Sequence, residues 1–151
     1  MTDILQDKKL LLVIGGGIIG LEMATVYDAL GVKVSVVELT KALVPGCDAD
    51  LVRPLEKRIK GRYEAILKGV GVTGVAAEKK GLRVSFEGKD APEPQLYDKV
   101  LVAVGRSANG NRIAAEAAGV AVGERGVNEG DKQMRTNVPH IRSEEQPSEL
   151  Q

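Results

Sequence analysis

Apolar positions cluster in short blocks. Lys9–Ile14 holds five of them in succession, a run too short for a helix and followed at once by glycines, which predicts a strand buried on both faces. From Ile19 the apolar residues Met23, Val26 and Leu30 recur at spacings of four, three and four, predicting an amphipathic helix that ends at Gly31. Lys33–Glu38 is a second strand only two residues later, so the unit is strand, helix, strand with a right-handed parallel crossover. Asp48 to Leu67 again repeats with a helical period, Leu51, Leu55, Ile59 and Ile66 sharing one side. Pro54 interrupts it, predicting a kink or a helix that begins there. Val72–Ala77 and Leu82–Phe86 alternate and are joined by Glu78-Lys79-Lys80-Gly81, the pattern of a hairpin. The polar segment Gly88–Gln95 leads to Tyr97-Asp98 and an apolar strand from Lys99 to Val104, which stops at Gly105-Arg106. One short helical stretch is predicted over Ile113–Ala118, and the rest is glycine-rich and irregular.

The fold class that follows is α/β: a Rossmann-like, doubly wound parallel sheet with an inserted antiparallel hairpin or meander. Residues 1–8 are a lead-in, 9–110 the dinucleotide-binding domain, and 111–141 an irregular segment that leads towards a further domain portion. Residues 142–151 turn abruptly polar and acidic, resemble translated adapter sequence more than a natural domain end, and are set aside as a non-native tail.

Composition narrows the function. At 151 residues the chain can bury one core, and 21 basic residues balance 21 acidic ones. That balance, with three tyrosines, one phenylalanine and no tryptophan, argues against a nucleic-acid surface. No apolar run approaches the ~20 residues needed to cross a bilayer, and the polar start is unlike a signal peptide, so no membrane partner is expected and the default compartment is the cytoplasm. One cysteine, Cys47, cannot supply a redox pair, and one histidine, His140, excludes a histidine-rich metal cluster.

Eighteen glycines remain to be explained, and six consecutive positions account for four of them. Gly15-Gly16-Gly17-Ile18-Ile19-Gly20 fits G-x-G-x-x-G between a strand and a helix. Gly15 permits the tight turn, Gly17 lets backbone approach a pyrophosphate, and Gly20 lets the helix pack on the sheet. The helix N-terminus then offers free N–H groups and about half a positive charge to the phosphates. Glu38, at the end of the second strand, has the place and spacing of a carboxylate that hydrogen-bonds an adenosine ribose. It would repel a ribose 2′-phosphate, so NAD is expected over NADP. The same glycines and acidic residue also suit FAD, which keeps a flavin-binding module open as an alternative. A stand-alone small NAD-dependent reductase is a further alternative, although no Ser-Tyr-Lys or His-Asp constellation is apparent to polarise a substrate.

KLLLVIGGGIIGLE at Lys9–Glu22, GVKVSVVE after it, the Tyr97–Arg106 segment and TNVPHI at Thr136–Ile141 together resemble the NAD-binding domain of dihydrolipoamide dehydrogenases, within the pyridine nucleotide-disulfide oxidoreductase family. The resemblance implies NAD(H) over Gly15–Gly20, Glu38 on the adenosine ribose and Val72 near the adenine. It also implies Glu22 beside the nicotinamide end and Gly105-Arg106 closing the site. It gives no catalytic residue and no metal ligand to this chain. Members of that family carry FAD on other domains, with a CxxxxC disulfide and a His-Glu pair, and work as homodimers in 2-oxo-acid dehydrogenase complexes. The sequence accordingly reads as a fragment that docks the nicotinamide and lacks the flavin. Two departures stand out: Ala108 where the family has a proline, and Pro54 inside the second helix.

Overall fold

The computed structural model describes residues 10–143; the lead-in and the tail from residue 144 onward lie outside it. The chain divides into two compact units at Val104/Gly105. The first is built on four parallel strands, β1 (Leu10–Ile14), β2 (Lys33–Glu38), β3 (Ala65–Lys68) and β7 (Lys99–Val102), in the order β3-β2-β1-β7. A second sheet is antiparallel and runs β4 (Gly71–Glu78), β5 (Gly81–Glu87), β6 (Gln95–Tyr97). The expected α/β class, the parallel crossover and the inserted hairpin are all present.

Burial explains the composition of the strands. Leu11, Leu12 and Val13 of β1 and Val34, Val36 and Val37 of β2 are all buried, as a parallel sheet covered on both faces requires. One core joins Leu11, Val13, Val34 and Val36 to the helices; the other joins Leu12 and Val37 to Val70, just before β4, and to Val84 and Tyr97 of the antiparallel sheet. Burial pushes the Tyr97 phenol up, opposed by a hydrogen bond with Ser35.

Helix α1 (Ile18–Ala29) packs through Gly20, Leu21 and Ala24, whereas Ile19, Val26 and Leu30 are exposed. The 4-3-4 stripe therefore marks the wrong face. Small residues let the helix lie close to the sheet, and small residues are invisible to a count of large apolar ones. Its end is as predicted: Gly31 at φ +85 donates to Asp28 O, and Val32 N–H to Tyr27 O, satisfying two orphan carbonyls.

Helix α2 (Ala49–Lys60) also departs from expectation. It runs through Pro54 instead of starting there, and ends at Lys60 instead of continuing to Leu67. Val52 and Ile59 are buried and Leu51 is exposed. After Gly61 the chain turns, Glu64 N–H donates to Val34 O, and Ala65–Lys68 joins β2 as β3. Ile66 keeps the helical spacing from Ile59 while belonging to a strand, which is why periodicity alone extended the helix. Two further differences are small: Gln95–Tyr97 is a strand, and β7 stops at Val102.

The second unit, from Gly105, has two 3-10 turns, Gly110–Arg112 and Ala115–Ala118, in place of the one helical stretch expected over Ile113–Ala118. An antiparallel bridge pairs Arg135 with Arg142. No described helix is long and apolar enough to cross a membrane, and no described cluster of His, Cys, Asp and Glu could hold a metal ion.

Candidate dinucleotide site

Strand β1 pairs with β2 on one side and β7 on the other, so the chain leaves β1 where the strand order reverses. In open α/β sheets ligands bind outside the carboxyl ends of the strands at this point. Gly15 sits in it, donating its N–H to Val37 O at 2.8 Å, while Ala103 N–H donates to Ile14 O at 2.8 Å. Gly15 has φ +111, and a Cβ there would overlap the carbonyl oxygen of Ala103.

The four glycines of the turn have different reasons to be glycine. A Cβ on Gly20 would overlap the carbonyl oxygen of Gly15, and one on Gly16 would lie 2.6 Å from Leu43 Cδ2 and 2.9 Å from Glu38 Cβ. Those three are required by the protein itself. A Cβ on Gly17 would meet no atom of the described residues within 4 Å. Gly17 is the N-cap of α1, in extended conformation at φ −78, and supplies no side-chain cap; the first turn carries no acidic residue either. Its backbone therefore faces open space beside the N–H groups that a helix start leaves unpaired.

Glu38 is 7% exposed, and it forms no ion pair among the described residues. Its carboxylate accepts the Gly16 N–H at Oε2 and the Thr40 N–H at Oε1, each at 2.7 Å. Two hydrogen bonds to a charged acceptor offset desolvation, and each oxygen keeps a further lone pair for a hydroxyl donor.

The β2–α2 loop, Leu39–Asp48, supplies residues that sequence reasoning missed. Leu43 is fully buried, and Val44 donates its N–H to Gly16 O at 2.8 Å. Val44 has φ +46, a left-handed conformation that costs a β-branched residue about 1–2 kcal/mol. The sequence sets this pair apart by nothing, since Leu39, Ala42 and Cys47 of the same loop are also apolar.

Of the remaining candidates, Ile18 and Ile19 are exposed in the first turn of α1, and Glu22 is exposed one turn on. Val72 is half-buried on β4 opposite Phe86, at a bulge before Gly74. Gly105, at φ +145, and Arg106 are exposed at the start of the second unit. Cys47 is exposed in the β2–α2 loop and His140 is described only in the second unit.

The family model for pyridine nucleotide-disulphide oxidoreductases matches residues 2–141. The chain belongs to that family. Among curated relatives it is 53% identical over 144 residues to the dihydrolipoyl dehydrogenase of Vibrio cholerae, covering 93% of this chain and 30% of that one. The Haemophilus influenzae dihydrolipoyl dehydrogenase is 50% identical over 143 residues with the same coverage. The chain thus spans about 30% of the length of these relatives. Among solved structures, a ferredoxin reductase of Rhodopseudomonas palustris superposes with a TM-score of 0.74 at 32% identity, over 91% of this chain and 33% of that one. An NAD-dependent persulfide reductase from A. fulgidus gives 0.75 at 25% identity, over 93% and 26%. The family's members are flavoprotein oxidoreductases, and the Rossmann-like nucleotide-binding fold is common to them and to this chain.

Proposed function

We propose that the chain is an NAD(H)-binding domain of a dihydrolipoyl dehydrogenase-like flavoprotein, docking the nicotinamide dinucleotide for hydride exchange with a flavin held on another domain. The observation that carries this reading is the open space at Gly17. Of four glycines in the turn it alone answers to no neighbour among the described residues, and it stands at a helix N-terminus at the switch point of the sheet. Missing bulk without an internal cause fits backbone approach by a pyrophosphate.

Gly15–Gly20 would cradle the diphosphate, with the N–H groups of Ile18 and Ile19 directed by the helix start, and the Glu38 carboxylate would accept a ribose hydroxyl. Glu22, Val72, Gly105 and Arg106 enter on the family resemblance, for the nicotinamide end, the adenine and the closing edge. Hydride transfer is the chemistry of the nicotinamide itself when bound; the chain binds and orients it. A lipoamide-type substrate and a homodimer in a 2-oxo-acid dehydrogenase complex enter on the family resemblance alone and are proposed only for the protein that would contain this domain.

Calorimetric titration of the 151-residue chain with NADH, NADPH and FAD tests the reading. NADH is expected to bind, with NADPH weaker by at least about tenfold, since a 2′-phosphate meets a carboxylate. FAD bound more tightly than NADH would overturn the assignment in favour of a flavin module.

A further inference from the structure

We propose that Leu43 is a positioning residue for the dinucleotide, fixing the Glu38 carboxylate and the phosphate-facing turn in one arrangement. The inference rests on the NAD(H)-binding reading. Leu43 is fully buried although the loop around it, Thr40 to Ala42 on one side and Pro45 to Asp48 on the other, is exposed. The position a Gly16 Cβ would take is 2.6 Å from Leu43 Cδ2, 2.9 Å from Glu38 Cβ and 3.2 Å from Glu38 Cγ. Leu43 and the stem of Glu38 therefore both crowd the side of Gly16 where a Cβ would stand, so the leucine, the turn and the glutamate stem close on one point.

The backbone bonds enclose the same point. Val44 N–H donates to Gly16 O, Gly16 N–H to Glu38 Oε2, and Thr40 N–H to Glu38 Oε1, forming a closed ring of turn, carboxylate and loop. Val44 holds its left-handed φ next to this ring. Such a conformation persists in a β-branched residue only where its surroundings over-determine it, and the buried Leu43 and the Gly16 bond do so from either side. A fixed carboxylate presents its free lone pairs to a ribose hydroxyl in one orientation and meets a 2′-phosphate at one short distance. Pre-organisation of this kind raises both affinity and discrimination.

The test compares Leu43→Ala with Ile59→Ala, a truncation in the same core but on the far helix α2, reading NADH and NADPH dissociation constants by calorimetry and folding by circular dichroism. Leu43→Ala is expected to weaken NADH at least about tenfold and to shrink the NADPH-to-NADH ratio, with Ile59→Ala leaving the ratio unchanged. Leu43→Met, which refills the space, is expected to restore the ratio. Should Leu43→Ala not fold, Leu43→Val reads the same ratio with a smaller cavity. A ratio that stays at its starting value in folded Leu43→Ala or Leu43→Val overturns the positioning role alone. Absence of NADH binding by the unmodified chain instead overturns the NAD(H) reading and this role with it.

Discussion

Two loops leave neighbouring strands at the same end of the parallel sheet and solve opposite problems. The β1–α1 turn, Gly15–Gly17, is almost bare backbone, and the β2–α2 loop, Leu39–Asp48, carries a buried leucine and a valine in a glycine's conformation. The first needs to be approached from outside; the second needs to hold the first still. Glycine relieves sterics where the chain must come close to something, but it gives no side chain with which to anchor. A loop whose task is anchoring accepts backbone strain at Val44 in exchange for the burial of Leu43.

The sharpest way to break that comparison lies within the glycine turn. Gly20→Ala places a Cβ on the Gly15 carbonyl, which is backbone and cannot rotate away, so α1 must lift from the sheet. A loss of about 3 kcal/mol or more is expected, enough to unfold a marginal domain. Gly17→Ala meets no atom and has an ordinary φ, so the chain should fold within about 1 kcal/mol of the original while NADH affinity falls at least tenfold. Urea denaturation paired with calorimetry separates the two. A Gly17→Ala chain that binds NADH normally would remove the reason for the open space.

Next in size is Glu38, the carboxylate that joins the two loops. Glu38→Gln keeps one acceptor oxygen and turns the other into an N–H₂ donor, so either Gly16 N–H or Thr40 N–H faces a donor. A buried unpaired donor costs about 1–3 kcal/mol, visible as a lowered denaturation midpoint without any ligand present. Glu38→Arg removes both acceptors. It is expected to narrow the preference for NADH and to lose more stability than Glu38→Gln, so a cofactor swap at this position needs a compensating change in the loop.

The two loops also differ in how far the sequence discloses them. The glycine turn was readable because each requirement left a residue type in the chain, and Glu38 because it stands at a fixed distance after it. Leu43 left no such mark: a leucine in a loop looks the same whether it is exposed, as Leu39 is, or buried. The strands β1, β2 and the β4–β5 hairpin were legible from apolar runs bounded by glycine and lysine. The buried face of α1 was legible only at Gly20, since Leu21 and Ala24 lie off the stripe of large apolar residues. β3 was not legible, since its Ile66 stays in helical phase with Ile59 across the turn at Gly61. What the sequence hides are contacts set by tertiary closeness instead of by period.

A smaller effect is expected at Val44. Val44→Gly removes the left-handed penalty, about 1–2 kcal/mol, and gives back about 0.5–1 kcal/mol through the greater freedom of glycine in the unfolded chain. The N–H to Gly16 O is retained. A gain in stability between zero and about 1.5 kcal/mol should therefore appear as a small rise in Tm. A fall of more than about 1 kcal/mol would mean that packing of the valine side chain, and not strain, dominates this position.

The smallest effect sharpens the comparison by moving the same device to the surface. In the second unit the Asp131 carboxylate accepts the N–H of Gln133 at 2.8 Å and of Arg135 at 3.0 Å, as well as Arg135 Nε at 2.8 Å, much as Glu38 ties Gly16 to Thr40. The Arg135 backbone N–H, then its side chain, hold the Asp131 carboxyl below its ordinary value. A depressed folded-state pKa means that the turn is stabilised above the ordinary aspartate range and that this contribution is lost as pH falls through the lowered value. Solvent screens Asp131 and not Glu38, so Asp131→Asn is expected to cost less than Glu38→Gln and to leave NADH affinity unchanged. Protection of the Gln133 and Arg135 amides relative to their intrinsic exchange rates, followed from neutral to acid pH, should fall only below the ordinary aspartate range. Amides already unprotected at neutral pH would show that a carboxylate needs burial, as well as backbone donors, to hold a turn.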